Sequence, residues 1–182
     1  MVLASKFQTY GPYELVRSLG EVKAASLEKL WSQAAVDDKQ LSAAIGVYII
    51  AMKSNTANYV PWYVGKTDKG FSSRFKQHIR YRKSFGDIGR VPGNDPFHIF
   101  LIPRMTPSSE EFRKKTAPGE HVKSIDRLEF MLIASCIAVN PHLLNRSNKV
   151  FHLGLSVPGY VNDVKPTRNK SAKRLAKMLR VQ

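Results

Sequence analysis

The spacing of apolar residues changes several times along the chain, and each change marks an element. Leu27, Leu30 and Trp31 recur at helical spacing, with Val36 and Leu41 near the end of the same stretch. Residues 1–40 therefore read as helical, with Ser26 placed to cap the helix. At Ala44 the pattern shortens. Residues 45–52 are a run of apolar, β-branched and aromatic side chains, which predicts a buried strand. The polar stretch 53–58 reads as a turn and 59–64 as a second strand, so the two form a hairpin with a longer loop. The stretch 65–70, GKTDKG, ends that strand. Helical spacing then returns, with Phe71, Phe75 and Ile79 on one face and Arg74, His78 and Arg82 on another. A Gly- and Pro-containing loop over 86–96 leads to a third strand at 97–102, closed by Pro103. Ser108 followed by Glu111 has the form of a capping box for a short helix. Residues 122–139 predict a longer helix that ends before Pro141.

This order predicts an α+β fold: a small three-stranded, mainly antiparallel sheet flanked by helices. The chain divides into an N-terminal helical extension (1–43), a sheet-bearing domain (44–157) and a basic C-terminal tail (158–182). With 182 residues, 43% of them hydrophobic, there is enough apolar material for a real core, and full disorder is excluded. Charge narrows the function. Lys and Arg total 29 against 14 Asp and Glu, a formal +15, which points to a polyanionic partner rather than a small neutral metabolite. The tail adds to this: residues 165–180 carry basic side chains and no acidic ones, as in a salt-sensitive phosphate-binding arm. The lone cysteine, Cys136, excludes an internal disulfide framework and any zinc site needing two thiolates. It lies in an apolar run and reads as a buried, inert thiol. No apolar run approaches the ~20 residues of a membrane span, and residues 1–10 lack the apolar core of a secretory leader. A cytoplasmic protein with no membrane partner is expected.

Several residues stand out as candidates for chemistry. Glu129 sits in IDRLEFMLIA, a segment apolar enough to predict a helix buried on most of its surface. A carboxylate there costs several kcal/mol unless it meets a cation or donors. Pairing with Arg127 or a distant Arg would satisfy it; so would a role as metal ligand or general base. The row Arg74–His78–Arg82 is either a solvated basic face or a phosphate-facing one, since it begins just after a glycine-rich strand exit. Tyr48 and Tyr63, each beside a glycine on neighbouring strands, read singly as core aromatics. Together they could bring two phenol hydroxyls beside the Arg74 helix. His98, His121, His142 and His152 show no metal-ligand spacing.

Gly46-Val47-Tyr48, then Tyr63-Val64-Gly65, then Arg74 with His78 four residues on, then Glu129 in an apolar helix, then Pro141 shortly before Asn145: this order resembles the GIY-YIG endonuclease family. The resemblance covers roughly residues 44–146. It implies a sandwich built on a three-stranded antiparallel sheet, and hydrolysis of DNA phosphodiesters with one divalent ion, Mg²⁺ or Mn²⁺, per site. Carried over residue by residue, Tyr48 and Tyr63 resemble the family tyrosines, Arg74 the arginine and Glu129 the metal-binding glutamate. His78 stands where members have His or Tyr. Asn145 matches the asparagine after the helix, with Asn140 as runner-up. The resemblance then implies that Tyr48 and His78 act as one coupled base on the attacking water, since a free phenol with a pKa of about 10 is a poor base alone. Tyr63 would hold phosphate or water, Arg74 the non-bridging oxygens, and Gly65, Lys66 and Arg82 would contact substrate.

Duplex DNA is the expected partner, with a homodimer as one way to cut both strands. Two other readings remain: a module that binds nucleic acid on this fold without cutting it, and a basic RNA-associated structural protein. The nuclease reading requires two phenols, a guanidinium and a lone acid to surround a single phosphorus.

Overall fold

The computed structural model describes residues 5–18, 21–54, 58–81, 95–106, 111–112 and 122–145, together with Ser171 and Arg174. In chain order these form β1 (Tyr10–Leu15), β2 (Arg17–Ser18), β3 (Glu21–Val22), α1 (Ala24–Asp37), a 3-10 turn (Leu41–Ala43), β4 (Gly46–Lys53), β5 (Tyr59–Thr67), α2 (Phe71–Tyr81), β6 (Phe97–Pro103) and α3 (Lys123–Val139). None of these helices is long and apolar enough to cross a membrane. Met1–Leu144 form one compact unit and Asn145–Gln182 a second.

The fold is α+β, but the main sheet has four strands in the order β1-β6-β4-β5, all antiparallel. The expected helical reading of 1–43 therefore fails for residues 10–15. That segment alternates: Tyr13 and Leu15 are buried and Glu14 is not, so it pairs with the β6 edge that a three-stranded sheet would leave open. Tyr13 donates to the Asp37 carboxylate and the Glu14 amide donates to Gln33 Oε1 at 2.9 Å, which ties the new strand to α1.

Helix α1 starts at Ala24, with Lys23 at the cap position, so Ser26 lies inside the first turn instead of capping it. Its buried stripe is Leu27, Leu30 and Ala34, whereas Val36 is exposed. Burial on one stripe supplies most of the stability of such a helix. The predicted long helix over 122–139 is present as Lys123–Val139. It buries only Ile125, Ile133, Cys136 and Ile137; Phe130, Met131 and Val139 face outward, so it is not buried on most of its surface. Cys136 is buried and its thiol is pushed up to about 11 by burial, an inert group at neutral pH. Ser108, most of the loop 86–96 and nearly all of the tail lie outside the described residues.

Two cores lie on the two faces of the sheet. On one face Tyr48, Ile50, Phe97, Ile99 and Leu101 pack with α1 and with Phe71 and Phe75 of α2. On the other, Val47, Val64 and Ile102 pack with Ile125, Ile133 and Ile137 of α3. Alternation along β4 and β5 produces this division. Each fully buried Phe or Ile contributes about 1.5–3 kcal/mol relative to exposure.

Candidate active site

Strand β5 does not end at Val64. It continues through Gly65 and Lys66 to Thr67, with Gly46 opposite Thr67 and Tyr48 opposite Gly65. The turn that follows is closed by the Thr67 hydroxyl, which donates to the Gly70 carbonyl at 3.1 Å and accepts from the Lys69 amide at 3.2 Å. Gly70 sits at φ +96°, a conformation that L side chains rarely adopt, and from there α2 departs.

The two glycines of the paired motifs do different work. A Cβ on Gly46 would overlap the Ile102 carbonyl and meet Pro103 Cα at 2.9 Å, so this glycine lets β4 approach β6. A Cβ on Gly65 would overlap the Tyr48 hydroxyl and stand 2.8 Å from Tyr63 Cε1. Gly65 is thus a slot in the sheet over which the two phenol rings lie, with centroids 6.1 Å apart.

Helix α2 brings the next two groups to the same face. Its buried stripe is Phe71, Phe75 and His78, so His78 belongs to the core face and not to a separate basic one. The Tyr48 hydroxyl is bonded to His78 Nε2. Burial, with Arg74 nearby, pushes His78 down to about 3, so its ring is neutral at pH 7. Burial, then the Tyr63 phenol, pushes Tyr48 well above its ordinary value, although Arg74 pulls the other way. The proton therefore rests on Tyr48 and is donated to a neutral imidazole. The expected coupling of Tyr48 and His78 is geometrically present, but His78 does not lower the phenol's pKa.

Arg74 lies within hydrogen-bonding reach of both phenols; burial lowers its pKa, but Tyr48 and Tyr63 outweigh that and the net shift is upward. Its Nε–H is buried with no acceptor among the described residues. Arg74 also lines a cavity of about 440 Å³ with Lys66, Thr67, Asp68, Val122, Ile125 and Asp126. A guanidinium at such a cavity suits an incoming oxyanion.

Glu129 stands elsewhere. Its α3 packs on the opposite face of the sheet from the phenols, and its carboxylate is held by Lys66, with Nζ 3.0 Å from Oε2. The same ammonium lies 2.8 Å from Asp126 Oδ1. The expected pairing of Glu129 with an arginine is thus replaced by a lysine one residue beyond Gly65. Tyr48, Tyr63, Arg74 and His78 converge; Glu129 joins Lys66 and Asp126 in a second cluster across edge strand β5, so the required convergence is met by the phenols and the guanidinium and not by the acid, which is not a lone one. The cavity touches both clusters through Arg74 and Lys66, and Asp126, not Glu129, is its carboxylate from α3.

Asp126 was not singled out from sequence. Its signal was available: it precedes Glu129 by three residues in a helical stretch, the spacing that stacks side chains on one face. Asn140, the runner-up asparagine, is occupied structurally, donating to the Pro61 carbonyl at 2.8 Å and accepting from the His142 amide at 2.9 Å. It pins the end of α3 to β5. Asn145 is buried and opens the second unit. Arg82 lies outside the described residues.

The donor set can be tested for a divalent ion on these residues. Asp126 and Glu129 offer oxygens one turn apart, already gathered around one positive charge. That suits a hard ion which takes one or two carboxylates and keeps most of its water. No group of three or more His, Cys, Asp or Glu that could hold an ion occurs among the described residues. Water and substrate would complete its shell. No family model, curated protein or solved structure matches this chain.

Proposed function

We propose that the chain is a metal-dependent DNA endonuclease of the GIY-YIG type, hydrolysing phosphodiester bonds at the cavity between α2, β5 and α3. One observation carries the reading: Arg74, within hydrogen-bonding reach of both phenols and with a buried Nε–H that has no acceptor among the described residues, also lines the cavity. Phosphodiester hydrolysis needs charge relief on the non-bridging oxygens, an oriented water and a route for its proton. Arg74 supplies the first. Tyr63 and Tyr48 supply hydroxyls that orient the water, and His78 is the neutral acceptor behind Tyr48. Glu129 would hold Mg²⁺ or Mn²⁺, which would lower the pKa of the attacking water and so lighten the task of a high-pKa phenol. Lys66 lines the same cavity, which supports its reading as a phosphate contact. The formal +15 supports a polyanionic substrate.

The test is plasmid nicking with Mg²⁺ or Mn²⁺. Wild type cuts, chelator stops it, and Glu129→Gln stops it while DNA binding survives. Equal rates for wild type and Glu129→Gln would remove the assignment.

The lysine clamp on Asp126 and Glu129 favours a second reading, a nucleic-acid-binding module on the same fold that does not cut. Tight duplex binding with no strand breakage under any divalent ion would select it.

A further inference from the structure

One ammonium serves two carboxylates here. The Glu129 side chain is 15% exposed, while those of Lys66 and Asp126 are 43% and 44% exposed. The acid is the more enclosed; the lysine is half-exposed, on a flexible four-carbon stem at the cavity wall.

Charge counting shows what can replace it. Two carboxylates carry two negative charges and Lys66 returns one, so the resting cluster is one charge short. A divalent ion balances the pair fully and frees one ammonium. A phosphodiester carries one negative charge, and the freed ammonium balances it. Cation and substrate are therefore each accommodated best when the other is present.

Resting on the nuclease reading above, we propose that Asp126 and Glu129 form the carboxylate pair of the divalent-ion site and that Lys66 is its exchangeable resident. On this view Lys66 moves from the carboxylates to the substrate phosphate as the ion arrives. The device keeps the DNA-free protein poorly loaded with metal. It also makes ion and DNA binding mutually reinforcing, by the same factor in both directions.

The experiment is Mn²⁺ binding to the full chain, followed by the loss of free-ion electron paramagnetic resonance signal, with and without a short DNA duplex. Without DNA, Lys66→Met binds Mn²⁺ about tenfold more tightly than wild type, a typical size for such coupling. Lys66→Arg, which keeps the charge, stays near wild type, and Asp126→Asn weakens Mn²⁺ in either background. Duplex DNA tightens Mn²⁺ in wild type and loses that effect in Lys66→Met. Thermal melts confirm that each variant is folded. Lys66→Met binding Mn²⁺ no more tightly than wild type overturns the exchange. An unchanged affinity in Asp126→Asn removes Asp126 from the pair. Plasmid nicking on the same samples separates the two levels. Cutting by wild type with no gain in Lys66→Met sinks the exchange alone, whereas no Mn²⁺ binding and no cutting by either protein sinks the nuclease reading with it.

Discussion

The two clusters that flank β5 are built from the same short strand and behave as opposites. Tyr63 and Gly65 serve one face and Lys66 the other, because alternate residues of a strand point to opposite sides. On the first face Tyr48 is fully buried, His78 nearly so, and the groups are held by packing against Phe71 and Phe75. On the second, three charged side chains hold one another, with Lys66 and Asp126 half-exposed and Glu129 more enclosed. Packing fixes geometry but suppresses charge, so the aromatic cluster can position a substrate and cannot easily ionise. The ionic cluster carries charge that can be exchanged, at little cost in stability. A reaction that needs both a fixed phosphate and a mobile cation needs both kinds of neighbourhood.

Acid separates them most strongly. His78 has a folded pKa of about 3 against 6.5 unfolded. Between those values the unfolded chain binds the extra proton, so the contribution is present above pH 6.5 and is lost as pH falls towards 3. The full span is at most ~5 kcal/mol, at 1.36 kcal/mol per unit. Urea unfolding at pH 6.5 and pH 4 should show wild type losing stability more steeply than His78→Gln. Parallel losses in the two proteins would mean that the imidazole is not held neutral by its surroundings.

Cleavage gives the next largest effect. Arg74→Ala removes the charge that faces the substrate and should lower the single-turnover rate by ~10²–10³-fold, about 3–4 kcal/mol, as for other preorganised charge stabilisers. Duplex binding should survive, because the rest of a strongly basic surface still neutralises phosphates. A variant that bound DNA normally and cut at the wild-type rate would leave Arg74 as a structural partner of the phenols.

What was legible in the sequence follows the same division. The hairpin, the Arg74–His78 helix and the 122–139 helix were readable because their periods are strong. The two phenols beside the Arg74 helix were readable from the paired strands, whereas the coupling of Tyr48 to His78 came only with the family resemblance. The burial of His78 was not readable: the stripe Phe71, Phe75, His78 and the row Arg74, His78, Arg82 share that residue, and only the neighbouring sheet decides between them. Strand β1 was missed because its alternation spans a few residues and Gly11-Pro12 interrupts it. Lys66 was placed in a turn, because a glycine normally weakens a strand. Gly65 here keeps the strand and makes room for a ring, a cross-strand contact that no local pattern encodes. The side of the sheet on which Glu129 lies is likewise a matter of how α3 crosses it.

The two motif glycines sharpen the contrast at smaller scale. Gly65→Ala sets a methyl against a Tyr48 ring that packing cannot release, an overpacking cost of about 1–3 kcal/mol. It should impair cleavage more than stability, because the displaced group is the proposed base. Gly46→Ala sets its methyl against the backbone of β6. Backbone yields less readily than a ring, so Gly46→Ala should be the more destabilising of the two in urea unfolding. The reverse order would place the strain of the sheet at β5 instead of at the β4–β6 seam.

The smallest expected effect concerns the ionic side. Lys66→Met breaks two ion pairs, yet both share the half-exposed Lys66 ammonium, and pairs open to water at one end typically contribute about 0–1 kcal/mol. Tyr48→Phe removes a hydrogen bond between two buried groups, which costs about 0.5–1.5 kcal/mol and is not offset by water. Global stability by urea should therefore fall further in Tyr48→Phe than in Lys66→Met. The difference should persist at 1 M salt, where the Debye length of ~3 Å screens exposed charges and leaves a buried hydrogen bond untouched. If Lys66→Met proved the more damaging, the lysine clamp would be a structural brace between β5 and α3 and not a cation held ready for exchange.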